Sequence, residues 1–324
     1  MREVTFLKKN AEKWKEVEGF LKLKGSVNPD KLADLFIELT DDLSYSRTFY
    51  PASKTTQYLN SLTAKVHQSI YKSKKERKER FIRFWKYEAP LLFYKHRMKI
   101  IISFSIFILA MLIGVVSSAG DSGFVRLIMG DSYVNMTLEN IDKGDPMAVY
   151  KQMNGVDMFL GITFNNIRVS FLAFMFGILL SFGTGWILMT NGIMLGAFQY
   201  FFHIHDLLFE SILVIWIHGT LEISAIIIAG AAGLVLGNSI LFPGTYSRKQ
   251  SFMIGAKEGL KIVISLIPIF ITAGFLESFV TRHTGMPEVM SLTIIIGSLS
   301  FVIWYFVIYP MKVYHKLEAE NGTV

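Results

Sequence analysis

The sequence of 324 residues contains no cysteine. Disulfide bonds, iron–sulfur clusters and thiolate zinc sites are therefore excluded. It also lacks a G-x-x-x-x-G-K-[ST] phosphate loop, a G-x-S-x-G nucleophile elbow and an H-E-x-x-H motif. Ser224 follows His218 by six residues, which on one helix rotates the two side chains apart by about 120° and suits no catalytic triad. We expect a protein with no enzymatic activity and no cofactor.

What is abundant is apolar sequence. Hydrophobic residues make up 52% of the chain, its mean hydropathy is +0.40, and the apolar residues form long runs. The first run begins near Ile100, whereas the N-terminal stretch "MREVTFLKKNAEKWKEVEG" is charged and has no apolar core. It therefore does not resemble a signal peptide. The composition predicts an all-α, polytopic membrane protein that inserts through internal spans.

Residues 1–98 are predicted to form a cytoplasmic helical domain. Trp14, Val17 and Leu21 have helical spacing. The domain ends in a basic segment, 72–99, with eleven lysines and arginines against three glutamates. Such a segment before a span indicates a helix at an anionic membrane surface, or serves as a topology signal alone, rather than a nucleic-acid-binding site.

Residues 99–311 are predicted to form the transmembrane domain, followed by a tail, 312–324. An acidic loop, 120–166, separates the first span from the second. The predicted spans cover about 100–119, 167–189, 191–217, 219–242, 260–280 and 291–309. The third is interrupted by "HIHD" at 203–206, so we predict a broken crossing there. A re-entrant 191–217 segment is the alternative and leaves five crossings.

The distribution of basic residues predicts the orientation. Segment 72–99, the connection around Arg248 and Lys249, and the tail with Lys312 are all basic, and six crossings place them on one side. By the positive-inside rule this side is cytoplasmic, and the acidic loop lies outside. We expect a multi-pass protein of the cytoplasmic (inner) membrane with both termini in the cytoplasm.

Two ladders of small residues at every fourth position predict close helix packing, within one chain or between copies. One lies in the predicted second span and the other in the fourth. The first consists of Ala173, Gly177, Ser181 and Gly185, and the second of Ala225, Ala229, Gly233 and Gly237.

Polar residues mark a candidate intramembrane cluster. His218 and Glu222 are one helical turn apart and share a face with the second ladder. Glu277 lies in a second G-x-L-E sequence and is predicted at the same outer level, as are Asn165 and Asn166. Three interpretations stay open: hydrogen bonds that join helices, an ion or proton site, or a metal site.

Further metal ligands are only weakly indicated. His203, His205 and Asp206 lie in the predicted break of the third span, at a depth different from that of the cluster. Their spacing matches no established metal motif, so we assign no metal site to them.

Several stretches resemble the stage II sporulation protein M family: "NGIMLGAF" at 191–198, "HGTLEISAIIIAGAAGLVLG" at 218–237, "PGTYSRKQSFMIGAKEG" and "AGFLESF". The helical "LNSLTAKVHQSIY" at 59–71 fits as well. The resemblance implies a polytopic inner-membrane protein without enzymatic activity. It also implies importance, though no defined chemistry, for six residues: Asn191, Gly192, His218, Gly219, Glu222 and Glu277.

In spore formers, the member that gives the family its name is a scaffold that works with two cell-wall hydrolases. This chain departs from that short member by its developed N-terminal domain. We therefore expect a non-enzymatic scaffold that recruits membrane or envelope proteins and is linked to cell-envelope remodelling. The alternative is a permease or channel-like component that uses the polar cluster. Membrane lipids are expected partners, homo-oligomerisation stays open, and nucleic acid is not expected.

Overall fold

The structure is a computed structural model that describes residues 1–22, 29–71, 79–151, 154–283 and 285–321. Every regular element within these ranges is a helix, which confirms the predicted all-α fold. The chain divides into two compact units, Met1–Arg80 and Phe81–Val324.

The N-terminal unit is a small helical domain with its own core. Its described helices are Glu3–Lys22, Pro29–Phe49 and Lys54–Tyr71. Trp14, Val17 and Leu59 are almost completely buried where the apolar stripes of these helices meet. The Trp14 indole N–H donates to the Asp42 carboxylate at 2.8 Å, so the polar edge of this large side chain is satisfied as its rings fill the core.

The second unit carries the predicted spans. Within the described residues, six helices are long and apolar enough to cross a membrane, which agrees with the predicted number. We call them spans one to six; they cover Arg97–Gly120, Gly155–Ile178, Phe182–Ile204, Leu208–Leu241, Arg248–Val280 and Glu288–Glu320. In the most apolar 18-residue stretch of each helix, 72% of the residues of span four are buried, but only 11% of those of span six. Span four is therefore the centre of the bundle, and span six lies at its edge.

The juxtamembrane segment packs into this second unit, so the structural boundary lies at Arg80 and not at residue 98. Residues 72–78 of the predicted basic segment lie outside the described residues. Phe93, in the short helix Ala89–Lys95, is buried against the bundle core. Lys95 and His96 contact Glu258 at 2.5 and 2.8 Å. These contacts join the segment to span five.

Span two differs from its predicted range, 167–189, because it begins at Gly155 and ends at Ile178. A tight turn follows, in which Leu180 and Ser181 adopt positive φ angles of 55° and 70°. The turn residues are apolar or small and include no proline. Because the apolar run continues through the turn, the hydropathy pattern predicts an end of span two that is too far along the chain.

The predicted break of span three is wrong. Phe182–Ile204 is a continuous helix, and residues 203–206 form its end and the hairpin to span four. Asp206 adopts a positive φ of 60° there. Span four accordingly begins at Leu208 and not at Gly219, so about 15 Å of helix precedes His218.

The connection between spans one and two is structured. It covers residues 121–154 rather than 120–166, because the helix of span two already begins at Gly155. Its helical segments are Phe124–Met129, Asp131–Asp142 and the 3-10 turn Ala148–Lys151. Val125, Val134 and Met147 from this connection form one apolar cluster with residues of spans three and four. The connection thus covers one end of the bundle.

The small residues of span four allow backbone contact. Its ladder is buried, and a Cβ on Gly233 would lie 2.3 Å from the carbonyl oxygen of Ala173. The other ladder is interrupted by the turn after Ile178 and is not one helical stripe. Gly177 still contacts Gly233 and Ser181 contacts Gly237, but Gly185 faces open space. The spans two–three hairpin therefore rests on span four along a seam of small residues.

Candidate functional site

The polar residues of spans four and five meet in one cluster. His218 and Glu222 lie one turn apart on span four, and Glu277 lies near the end of span five. Their ligand atoms all lie within 4.8 Å of one another. His218 Nε2 lies 3.8 Å from Glu277 Oε1, and a carboxyl oxygen of Glu222 lies within 4.8 Å of one of Glu277. We call these three residues the acid–histidine cluster.

Neighbouring polar groups hold the cluster in place. Asn166, on span two, donates from Nδ2 to Glu222 Oε1. His218 Nδ1 lies 3.1 Å from Thr281 Oγ1, which fixes the plane of the imidazole ring. The Tyr150 ring packs against the His218 ring with a centroid distance of 5.8 Å and an interplanar angle of 62°. Three spans and the connection before span two therefore contribute to one site.

A local change in helix geometry presents Glu277 to the cluster. Residues Leu276–Val280 form a π-helical segment at the end of span five. The Thr281 N–H donates to the Leu276 carbonyl at 2.8 Å, which is the five-residue spacing of a π turn. The wider turn rotates Glu277 and Thr281 relative to a continuous α-helix. Such segments occur frequently at functional sites.

Two cavities border the carboxyl pair. The first has a volume of about 420 Å³ and is lined by Glu222 and His218, together with three asparagines, Asn165, Asn166 and Asn191. The second has a volume of about 360 Å³ and is lined by Glu277, Tyr150 and Asp157. Tyr133 lines both cavities. Each carboxyl group of the pair therefore borders a different cavity.

The electrostatics of the cluster are unbalanced. His218 is buried and only 14% of the Glu277 side chain is exposed. No described lysine or arginine forms an ion pair with Glu222 or Glu277. Burial, reinforced by the charge of Glu277, raises the pKa of Tyr150 well above its ordinary value, so this phenol stays neutral. A proton or a metal ion bound at two carboxyl groups this close together would relieve the repulsion between them.

The donor set fits a divalent metal as well as a proton. One imidazole nitrogen and two carboxylates are the ligand types of open Zn²⁺ and Mn²⁺ sites, in which further coordination positions remain free. The acid–histidine cluster is the one such trio among the described residues. His203, His205 and Asp206 form no such group and lie at the hairpin between spans three and four.

The remaining predicted positions surround the cluster or pack nearby. Asn165 and Gly219 line the first cavity. Asn191 also lines it and donates to the Ile187 carbonyl of its own helix at 2.8 Å. Gly192 faces span one, where a Cβ would lie 2.6 Å from the Phe107 carbonyl oxygen. Gly192 is thus a packing position, whereas Asn165, Asn191 and Gly219 belong to the cavity wall.

Sequence reasoning missed Tyr150, Thr281 and Asp157. Thr281 follows Glu277 by four residues, the spacing that marked His218 and Glu222, and this repetition was a usable signal. Tyr150 and Asp157 reach the site through the fold of the connection and the early start of span two. No pattern in the sequence indicates those contacts.

Two family models match the chain in separate regions. The model described as Stage II sporulation protein M matches residues 103–282, more than half of the chain. A second, described as a domain of unknown function (DUF8413), matches residues 4–72. No curated protein and no solved structure matches significantly. The acid–histidine cluster and Asn166 all fall inside the first match. The chain therefore belongs to the stage II sporulation protein M family of integral membrane proteins.

Proposed function

We propose that this protein is a permease component of the cytoplasmic membrane, in which Glu222 and Glu277 bind a cation on its route across the bilayer. The observation that carries the proposal is the close approach of two partly buried carboxyl groups that border different cavities and form no ion pair with a described lysine or arginine. Ionisable groups placed within membrane spans usually mark ion or proton pathways.

The physical argument concerns charge compensation. With both carboxylates ionised, their repulsion at this distance is costly in a medium of low polarity. A bound proton or metal ion removes that repulsion, and the His218 ring can supply a further nitrogen ligand. Because Glu222 borders one cavity and Glu277 the other, a cation held between them can exchange with either cavity.

Flux into proteoliposomes tests the proposal. The full-length protein is reconstituted with an internal pH-sensitive dye, or with a dye that responds to Zn²⁺ and Mn²⁺, and a gradient is imposed. We expect cation flux that the double variant Glu222→Gln, Glu277→Gln abolishes, because the amides keep the shape of both side chains but cannot bind a cation by charge. The responding dye identifies a proton or a divalent metal as the cation.

The matched control is Glu288→Gln, which makes the same chemical change at an exposed glutamate that begins span six. It should retain wild-type flux. Wild-type flux no greater than that of protein-free liposomes would exclude the permease function. Equal flux in the wild type and a correctly folded double variant would remove the cluster from the route.

A membrane scaffold is the second candidate, and one observation favours it. The unit Met1–Arg80 has its own core and its own family match, separate from that of the membrane spans. An independent helical domain on a membrane anchor suits recruitment of another membrane or envelope protein, without enzymatic activity of its own. In-cell crosslinking, pull-down and mass spectrometry test this function. A stoichiometric partner that is lost when residues 1–71 are deleted supports it, whereas recovery of the chain alone argues against it.

A further inference from the structure

A basic groove lies outside the region that matches the stage II sporulation protein M family. It has a volume of about 540 Å³ and runs between the juxtamembrane segment and the end of the span six helix. Four cationic side chains line it: Arg83, Lys86, Lys312 and Lys316. Tyr87 and Tyr309 also line the groove. The groove shares no lining residue with the acid–histidine cluster, so binding of a ligand here is independent of the proposed function.

The groove has an excess of positive charge. Its two acidic lining residues are already engaged, Glu88 with Lys261 at 2.7 Å and Glu320 with Lys316 at 3.8 Å. Arg83, Lys86 and Lys312 are exposed and form no ion pair with any described residue. Three cations facing one concave surface without compensation attract a multivalent or bidentate anion.

The walls of the groove are held together by hydrogen bonds. The Tyr309 hydroxyl donates to the Lys86 carbonyl at 3.0 Å, and the Tyr305 hydroxyl donates to the Trp85 carbonyl at 2.9 Å. The accepting carbonyls belong to the π-helical segment Phe84–Glu88. These hydrogen bonds to backbone carbonyls therefore fix the distance between the two walls that carry the cations.

The groove lies at the end of a lipid-exposed helix. Span six extends over 33 residues, about 50 Å, whereas the hydrocarbon core of a bilayer is about 30 Å thick. Its C-terminal part therefore extends beyond the hydrocarbon. Trp304, Tyr305 and Tyr309 lie in the last two to three turns of the apolar run before Lys312, where aromatic residues commonly approach lipid head groups. Val307 and Met311 on the same helix are exposed, so apolar surface adjoins the basic groove.

We propose that this groove binds the phosphodiester head group of an anionic membrane lipid. Arg83 offers a planar guanidinium for two phosphate oxygens, and Lys86 and Lys312 supply point charges from the two walls. The acyl chains lie against the exposed apolar surface of span six. Apolar surface beside the cations favours a lipid over a free phosphate, because a soluble anion gains nothing from it.

The test uses the full-length protein in a zwitterionic detergent and measures binding of dioctanoyl phosphatidylglycerol. Dioctanoyl phosphatidylcholine and glycerol phosphate are the comparison ligands. The groove variant is Arg83→Gln, Lys86→Gln, Lys312→Gln. A basic residue near an anionic lipid contributes about fivefold in affinity, so we expect roughly a 100-fold loss at low ionic strength.

The matched control is Arg248→Gln, Lys249→Gln, Lys257→Gln. It removes the same number of exposed cations from the first three turns of span five, at the same end of the bundle. This control should bind phosphatidylglycerol like the wild type. Circular dichroism and size-exclusion profiles verify that both triple variants are folded.

Three results would overturn the proposal. An equal loss in both triple variants would show attraction by total charge and not by the groove. Glycerol phosphate binding as tight as that of phosphatidylglycerol would assign the groove to a soluble anion. Equal binding of phosphatidylcholine would remove any role for the head-group charge. None of these measurements depends on cation flux, so failure here leaves the proposed function untouched.

Discussion

Gly233→Ala is the change that most directly tests the packing at the centre of the bundle. The added methyl group would lie 2.3 Å from the Ala173 carbonyl oxygen and 2.2 Å from Thr184 Oγ1. Ordinary van der Waals contacts begin at 3.4 Å, so both neighbours must retreat by about 1 Å. One of them is backbone, so the spans two–three hairpin has to move as a whole.

The expected cost follows from three terms. Overpacking of a tight contact costs about 1–3 kcal/mol. The Thr184 hydroxyl donates to the Ala173 carbonyl at 2.7 Å, and loss of this bond adds about 0.5–1.5 kcal/mol. The higher helix propensity of alanine offsets roughly 1 kcal/mol of this loss of stability. We expect the free energy of unfolding to fall by about 2 kcal/mol.

Reversible unfolding in mixed micelles measures this difference, with tryptophan fluorescence as the signal. Gly185→Ala is the control, because Gly185 belongs to the other ladder of small residues and has no atom within 4 Å of the added Cβ. It should equal or slightly exceed wild-type stability. If Gly233→Ala and Gly185→Ala had the same stability, the contact between span four and the hairpin would not exist as described.

Three further predictions address other parts of the chain. Trp14→Ala should destabilise the N-terminal unit by about 3–5 kcal/mol, because it leaves a cavity in a buried core. Amide hydrogen exchange should become faster within residues 1–71 only, and unchanged exchange there would refute the prediction. Since the chain has no cysteine, an impermeant maleimide added to whole cells should label Ser122→Cys but not Ser247→Cys; the reverse would invert our orientation. Burial lowers the pKa of His96 below 6.5. The free energy of unfolding should therefore decline as the pH falls below 6.5, and His96→Gln should reduce this decline. An equal decline in the wild type and the variant would contradict the prediction.

The number of spans is predictable from sequence, but two of their boundaries are not. Six apolar runs and the basic connections require six crossings. The turn at 179–181 escapes hydropathy analysis because apolar residues continue through it. Conversely, "HIHD" at 203–206 is polar enough to suggest a break within a span, although it is the hairpin between two. Hydropathy therefore counts helices more reliably than it places their ends.

The candidate site is likewise only partly predictable from the sequence. His218 and Glu222 are recognisable because both lie on one helix at a spacing of four. Glu277 is matched to them through its similar local sequence and the opposite direction of span five. The π-helical segment that presents Glu277, and the contact of Tyr150 with His218, depend on tertiary packing. Local patterns carry no signal for either.

The close backbone contacts between spans have a mechanical consequence. Glycines interlock span three with span one at Gly196, the spans two–three hairpin with span four at Gly233, and span five with span four at Gly259. A sliding movement at any of these seams would replace a glycine by a bulkier residue opposite a carbonyl oxygen and cause a steric clash. The five interlocked spans therefore behave as one stiff block. In the proposed permease, a cation at Glu222 and Glu277 would then depend on small local rearrangements, for which the wide turn Leu276–Val280 is the most suitable hinge.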